Sequence, residues 1–143
     1  MKPPQSAAIP YRRTAAHELE VLLITSRRKG RWVLPKGKVR RMLPQASAAR
    51  EAFEEAGVLG VIAHQPVGTY RQLKALSSGG EIEIAVSAYP LFVNTVLRKW
   101  PEMAFRQRQW MHAVEAAELV DGAELRVLLQ GFAARYWEHD PPS

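Results

Sequence analysis

The spacing of hydrophobic positions along the chain predicts several short strands, an early helix and two closing helices. Residues 19–25 form a nearly continuous apolar run rich in β-formers, which favours a buried strand. Residues 81–86 alternate polar and apolar side chains, as a half-exposed strand does, and a hairpin turn at 77–80 precedes them. The other predicted strands are 6–13, 32–35, 58–63, 66–73 and 109–111, and the predicted helices are 44–56, 113–120 and 123–137.

This order of elements predicts an α+β or α/β/α fold built on a mixed sheet. The length of 143 residues fits one domain, which we expect to span residues 1–143. Pro10 interrupts the first predicted strand and should confine it to a sheet edge or a bulge, since proline cannot donate to a strand ladder. Residues 36–44 are expected to form a loop, and the hairpin's second strand is expected to end at residue 92.

The helix predicted for residues 44–56 carries a cluster of carboxylates. At about 100° of rotation per residue, Glu54 and Glu55 lie within roughly 60° of Glu51, and Gly57 is a suitable left-handed cap. The side chains predicted for the opposite, buried side are Ala49, Ala52, Phe53 and Ala56. Like charges at this spacing repel, so the cluster favours a hard divalent cation such as Mg²⁺ or Mn²⁺. The alternative is a solvated acidic helix face.

Composition excludes several classes of protein. The chain has no cysteine, which rules out disulfides, zinc–thiolate sites and thiol catalysis. Its apolar runs are too short to span a bilayer, and no signal-peptide pattern is present. We therefore expect a cytoplasmic protein without a membrane partner.

The formal net charge of +6 is unevenly distributed. Residues 1–41 carry 11 basic and two acidic residues, a net charge of +9, whereas the remainder carries −3. Such asymmetry indicates an anionic partner. A solvated basic surface without a ligand explains the charge alone equally well.

Residues 32–38 and 50–58 together resemble the Nudix box of the Nudix hydrolase superfamily. The family pattern is Gly, five residues, Glu, seven residues, then Arg-Glu-apolar-any-Glu-Glu-any-Gly-apolar, and every fixed position of its second half is matched by Arg50-Glu51-Ala52-Phe53-Glu54-Glu55-Ala56-Gly57-Val58. The lead-in Trp-Val-Leu-Pro-Lys-Gly-Lys at 32–38 is also typical of the family. The resemblance implies a Nudix-type α/β/α sandwich with a central mixed sheet, and hydrolysis of a phosphoanhydride.

By the same resemblance, Glu51, Glu54 and Glu55 bind the divalent cations, with the Gly37 carbonyl as a further ligand. Arg50 is expected to orient a carboxylate through charge-assisted hydrogen bonds. The general base is expected to be Glu54 or Glu55, with Glu102, in the predicted loop before residue 109, as the other candidate. The four histidines have no ligand spacing and are expected to be surface or structural residues.

The loop that leads into the helix departs from the family pattern. Counting from Gly37, the position expected to be Glu is Leu43, and twelve residues rather than thirteen separate Gly37 from Arg50. The loop also carries Arg40 and Arg41 where acids are common. We therefore expect fewer bound metal ions rather than lost activity.

Segments elsewhere in the chain, such as 9–13, 22–27, 66–70 and 100–110, look like one branch, the diphosphoinositol polyphosphate and diadenosine polyphosphate phosphohydrolases. This branch acts on highly phosphorylated small molecules, which would account for the basic half. The candidate phosphate-binding residues are Arg12, Arg13, Arg27, Arg28, Lys36 and Lys38, with Arg40 and Arg41 as an extension. Solvation is the alternative for each of them.

Other readings stay open. ADP-ribose and 5′-capped RNA are alternative substrates, although a nucleic-acid partner is not favoured because interleaved aromatics are sparse. Trp32 and Tyr70 are able to stack on a base, yet core packing is the commoner role of large aromatics. A non-catalytic domain that binds polyphosphate or nucleic acid is the alternative from another class. The oligomeric state is open.

Overall fold

The structure, a computed structural model, describes residues 4–136, so Trp137, the predicted end of the last helix, lies outside the described residues. The strands are β1 (Gln5–Arg13), β2 (Leu19–Thr25), β3 (Trp32–Val33), β4 (Lys36–Lys38), β5 (Val58–Ile62), β6 (Gly68–Ala75), β7 (Glu81–Val96) and β8 (Arg108–His112). The helices are α1 (Pro44–Glu51), which continues as a π-helical turn (Ala52–Ala56), α2 (Ala113–Leu119) and α3 (Ala123–Tyr136).

The eight strands found within residues 4–136 belong to one sheet with β1 and β7 at its centre. The central path runs β3–β2–β1–β7–β5, while β4 pairs with β1, β6 with β7 and β8 with β2. β1 and β7 are parallel, and the other pairings between these strands are antiparallel. The predicted mixed sheet is confirmed.

Pro10 lies in this central strand, so the prediction that it confines the strand to an edge or a bulge is wrong. On one flank Pro10 stands opposite Leu91 of β7. On the other flank β4 pairs with residues 5–7 and β2 with residues 11–13, which leaves Pro10 between two partners. The Ala8 N–H points to that second flank, where it donates to the Pro35 carbonyl, and Pro10 faces the same way two residues later. The missing N–H therefore falls where no strand ladder needs it.

Helices cover both faces of the sheet, because side chains alternate between two cores along each inner strand. On β2, Val21 and Leu23 pack with α2 and α3, whereas Leu22 and Ile24 pack against α1. The apolar side chains that the helix contributes to this second core are all alanines, namely Ala48, Ala52 and Ala56, and each is fully buried. This close approach gives the predicted α/β/α sandwich, which is confirmed.

Several boundaries differ from the predictions, and two of these differences bear on the site. Lys36–Lys38 pairs with β1 instead of belonging wholly to a loop, and β7 continues to Val96, beyond residue 92. The extension of β7 pairs with β5. β5 packs beside the end of the acidic helix, by which we mean α1 and its π-helical turn together (residues 44–56). Within residues 4–136, no helix is long and apolar enough to cross a membrane.

Candidate active site

The acidic helix ends in the π-helical turn and closes at Gly57, whose φ of 67° is left-handed. The Gly57 N–H donates to the Phe53 carbonyl at 3.1 Å, so the predicted glycine cap is present. Glu55 is only 8% exposed, whereas Phe53 is 36% exposed. The prediction that Phe53 faces the core is therefore wrong. The buried face, which includes Ala48 and Ala52, is rotated from the predicted one toward Glu55.

Strand β4 brings Gly37 directly against the carboxylate of Glu51. A Cβ atom at Gly37 would lie 2.5 Å from the Cδ atom and from one carboxylate oxygen of Glu51. Any other residue at this position would displace the Glu51 side chain. The structure therefore brings together two of the positions predicted to bind metal, and their ligand roles stay predictions.

Glu55 is held in a buried pocket between a backbone donor and a cation. Its Oε1 accepts the Lys36 N–H at 3.2 Å, and its Oε2 lies 3.4 Å from an Nη atom of Arg106. Burial raises the pKa of Glu55 to about 8, although Arg106 and the Lys36 N–H oppose the shift. Glu55 is thus a carboxyl group whose ionised form depends on its positive neighbours.

The Lys36 side chain lies inside this region rather than on a solvated rim. Its Nζ donates to the Gln5 Oε1 at 3.2 Å, across the β1–β4 pairing. Burial lowers the pKa of Lys36, and the negative charge of Glu55 opposes that shift. Of the predicted phosphate-binding residues, Lys36 is therefore in electrostatic contact with the acidic cluster.

The loop between β7 and β8 (residues 97–107) is hydrogen-bonded to the end of the acidic helix, and we call it the fastened loop. The Trp100 Nε1 donates to the Glu55 carbonyl at 3.1 Å, and the Glu102 N–H donates to the Glu54 carbonyl at 3.0 Å. The Arg106 Nε donates to the Glu102 Oε1 at 3.1 Å. Arg106 therefore joins the predicted base candidates Glu55 and Glu102 through one guanidinium group.

Arg106 and Arg108 are the residues that sequence reasoning missed. Arg108 donates to the Ala56 carbonyl at 2.9 Å, and its guanidinium lies 3.8 Å from the Trp100 ring centroid. It thus places positive charge at a helix C-terminus, where the helix dipole favours it. The spacing of four between Glu102 and Arg106 was a signal of ion pairing. Nothing in the sequence indicated the contacts of Arg108.

A cleft of about 290 Å³ opens on the solvent side of the helix. It is lined by Lys38, Arg40, Met42, Ser47, Arg50, Glu51 and Glu54. In this cleft the Arg50 Nε donates to the Glu54 Oε1 at 3.0 Å, so Arg50 contacts a carboxylate. The cleft therefore has carboxylates on one wall and basic side chains on another.

The carboxylates fit a hard divalent cation by their chemistry and crowding. Burial and the neighbouring charge of Glu54 raise the pKa of Glu51, and a side-chain hydrogen bond with Glu55 opposes that rise. Two carboxyl groups close enough to share a hydrogen bond gain from a cation that offsets their charge. Within residues 4–136, however, no three acidic, His or Cys side chains already stand in metal-binding geometry. Glu54 instead contacts Arg50.

Two predicted basic residues lie far from this cluster. Arg12 and Arg13 stand at the other end of β1, since Ala7 is the residue paired with Lys36. Arg12 is five residue steps along the strand from Ala7, or roughly 17 Å at the usual rise per residue. Arg12 also pairs with Glu20 at 2.8 Å. The structure does not bring Arg12 and Arg13 to the acidic helix.

The remaining candidates divide between surface and core. Arg28 and Lys38 are exposed, and the Arg27 guanidinium lies 4.5 Å from the ring centroid of Phe105, in the fastened loop. Tyr70 is 1% exposed and cannot stack on a ligand. Trp32 packs against the core on the α2 and α3 side. The core interpretation of these two aromatics is therefore the one that the structure supports.

A family model and similar curated proteins point to the same family. The NUDIX domain model matches residues 2–130. The Arabidopsis thaliana protein named Nudix hydrolase 21, chloroplastic, is 34% identical over 135 residues, which cover 89% of this chain and 64% of the relative. Diphosphoinositol polyphosphate phosphohydrolase 3-beta of Bos taurus is 31% identical over 107 residues, which cover 72% of this chain and 61% of the relative.

Solved structures agree on the fold. The C. elegans Ap4A hydrolase binary complex superposes with a TM-score of 0.68 at 22% identity, covering 93% of this chain and 96% of that one. The chain spans a little under two thirds of the length of these two curated relatives.

Several relatives have chloroplastic or mitochondrial in their names, so the cytoplasmic location stays a prediction.

Proposed function

Because this chain belongs to the Nudix family, we propose that it hydrolyses a phosphoanhydride bond in a highly phosphorylated small molecule. The substrate class is a diphosphoinositol polyphosphate or a diadenosine polyphosphate, and the cofactor is Mg²⁺ or Mn²⁺. A bovine relative, 31% identical, is named as a diphosphoinositol polyphosphate phosphohydrolase, which supports the first of the two classes. A compact, highly anionic substrate also suits the charge of the cleft.

The observation that carries the proposal is the arrangement of Gly37, Glu51 and Glu55. The Glu51 carboxylate fills the space that a side chain at Gly37 would occupy, and Glu55 is buried one helical turn later. Glu55 is oriented from two sides, by the Lys36 N–H and by Arg106. A solvated acidic face would not bury and orient one of its carboxylates in this way.

The basic residues of the cleft support a substrate with several phosphates. Lys38 and Arg40 line the same cleft as Glu51 and Glu54, so positive charge lies beside the carboxylates. Arg40 is able to contact phosphate oxygens in a bidentate fork, and Lys38 acts as a point charge. The scissile phosphates would lie against the carboxylate wall and the remaining phosphates against the basic wall.

The side chains of the site suggest how the proton is handled. A bound Mg²⁺ or Mn²⁺ would offset charge on the substrate and lower the pKa of a coordinated water. Glu55 is the candidate to accept the water's proton, because it is buried in the carboxylate cluster and is oriented from two sides, by the Lys36 N–H and by Arg106. Arg106 contacts both Glu55 and Glu102, so it fixes the distance between the two candidate bases.

The test is Mg²⁺-dependent hydrolysis by the wild type and by Glu55→Gln. We expect kcat to fall about a thousandfold, a typical loss when a general base is removed. The variant should fold, since a neutral amide resembles the protonated carboxyl that burial already favours at Glu55. Glu81→Gln, on an exposed strand position, is the matched control and should leave kcat unchanged. Near wild-type turnover by Glu55→Gln, with unchanged thermal melting, would contradict the proposal.

A non-catalytic binding domain is the alternative, and two observations favour it. Leu43 stands where the family has Glu and is 65% exposed, and no three-ligand metal geometry is already formed within residues 4–136. A substrate panel of inositol pyrophosphates, dinucleoside polyphosphates, ADP-ribose, capped RNA and nucleoside triphosphates separates the two functions. Tight binding without turnover of any of these compounds would establish the binding domain.

A further inference from the structure

The loop between β7 and β8, whose backbone is hydrogen-bonded to the acidic helix, exposes an aromatic side chain one residue from Arg106. Phe105 is 57% exposed and Met103 is 44% exposed, although the flanking Arg106 side chain is only 11% exposed. Leaving a large ring in water forgoes the free energy of burying it. Phe105 therefore offers an accessible aromatic surface on which a flat ligand is able to pack.

Phe105 is held rigidly at this position. Its N–H donates to the Glu102 carbonyl at 2.9 Å, and the Glu102 N–H donates to the Glu54 carbonyl at 3.0 Å. Two hydrogen bonds therefore connect the backbone of Phe105 to the acidic helix. On its other side, Arg106 contacts the Glu55 carboxylate. The backbone of Phe105 is thus held one residue from the side chain that contacts Glu55.

Arg27 completes the surface. Its guanidinium carbon lies 4.5 Å from the Phe105 ring centroid, within the range of a cation–π contact. Among residues 4–136, no carboxylate forms an ion pair with Arg27. A planar cation and a planar ring therefore lie together, and more than half of the surface of Phe105 remains accessible to solvent.

We propose that Phe105 and Arg27 bind the base of a nucleoside polyphosphate by stacking. The inference rests on the proposed hydrolase function and chooses between its two substrate classes. A nucleobase has a flat aromatic face, and stacking on protein aromatics tolerates any base. An inositol ring is saturated and carries phosphates, so it gains nothing from the exposed face of Phe105. The pair therefore selects diadenosine polyphosphates over diphosphoinositol polyphosphates.

The experiment compares Phe105→Ala with the wild type on diadenosine tetraphosphate and on a diphosphoinositol polyphosphate. We expect KM for diadenosine tetraphosphate to rise about tenfold, the loss typical of one stacked base, with kcat nearly unchanged. Kinetics on the inositol compound should not change. Phe105→Trp should retain the wild-type KM for the nucleotide. Val127→Ala, at a similarly exposed apolar side chain on α3, is the matched control and should leave the kinetics on both substrates unchanged.

Three outcomes would overturn the inference. An equal rise in KM for both substrates would mean that Phe105 acts through Arg27 on phosphate. An unchanged KM for the nucleotide would remove any stacking role. Hydrolysis of the inositol compound alone would reject the substrate class and leave the proposed function intact.

Failure of the proposed function gives a different result. If the wild type hydrolyses neither compound, calorimetric titration with diadenosine tetraphosphate still tests the stacking. About tenfold weaker binding by Phe105→Ala would then support the nucleobase site in a protein without hydrolase activity. Equal binding by the two proteins would overturn it.

Discussion

Two segments approach the acidic helix from opposite ends, and they are built very differently. The loop before β8 contacts the helix end through the Trp100 side chain, the Glu102 backbone and the Arg106 guanidinium. The other segment, residues 39–43, is mostly exposed, and its side chains make no hydrogen bond or ion pair to other residues within 4–136. Both segments border carboxylates, yet only the first orients one.

This difference indicates where the site tolerates change. A buried carboxylate needs its donors and cations, so substitution in the fastened loop leaves an uncompensated group behind. An exposed loop residue with no partner leaves nothing behind. The departure from the family pattern at Leu43 falls in the segment that the fold does not rely on.

Arg106→Met should have the largest effect on the metal-free protein. It removes the cation shared by Glu55 and Glu102, and breaking a buried pair typically costs about 3 kcal/mol. The loss should depend on pH, because the pKa of Glu55 is raised to about 8. Below that pKa Glu55 is protonated and needs Arg106 less, whereas above it the buried carboxylate is ionised.

Urea unfolding with a chelator, at about pH 6 and about pH 9, measures this effect. The destabilisation should be greater at the higher pH. Arg98→Met, at an exposed position in the same loop, is the control and should stay within about 0.5 kcal/mol at both values. Equal losses at the two pH values would show that Arg106 does not stabilise the Glu55 carboxylate.

Gly37→Ala should have the next largest effect, and it should act on turnover more than on folding. The added methyl group would lie 2.5 Å from the Glu51 carboxylate, so the side chain must move away. Displacing a catalytic group by about 1 Å commonly costs about a hundredfold in rate. Steady-state kinetics at saturating Mg²⁺ measure the loss.

Gly79→Ala, in the β6–β7 hairpin turn, is the control for Gly37→Ala. No atom lies within 4 Å of a Cβ built at Gly79, but its φ of 95° disfavours alanine. The control should therefore lose stability and keep its kcat. The opposite pattern in Gly37→Ala, with lost kcat and retained stability, is the expected contrast. Retained kcat in Gly37→Ala would show that the reaction does not depend on the position of the Glu51 carboxylate.

The sequence alone predicted the features that depend on local pattern. The family resemblance, the buried strand at Leu19–Thr25 and the left-handed cap at Gly57 are confirmed. A three-residue strand such as Lys36–Lys38 is too short to show a period, and it was predicted to be loop. The burial of Glu55 was not foreseen, since residue spacing alone does not show how an acidic helix is turned against the sheet.

Long-range geometry explains the other differences. Arg12 was grouped with Lys36 as a phosphate ligand because both are basic and lie in the first 41 residues. Only the register of β1 against β4 shows that Lys36 lies beside one end of β1, whereas Arg12 lies at the other end. Arg106 was overlooked for the same reason, because its contact with Glu55 joins residues far apart in the chain.

Leu43→Glu should have the smallest effect, and it tests the other side of the comparison. Leu43 is 65% exposed, and its side chain makes no polar contact within residues 4–136, so stability should change by no more than about 0.5 kcal/mol. If the exposed segment contributes nothing to the carboxylate site, kcat should also stay within about twofold, since the new charge is screened by water. Leu43→Gln, with a similar shape and no charge, is the matched control. A much lower Mg²⁺ requirement in Leu43→Glu than in Leu43→Gln would show that residues 39–43 reach the metal site. Both segments would then contribute to the site, and they would differ only in the groups that they contribute.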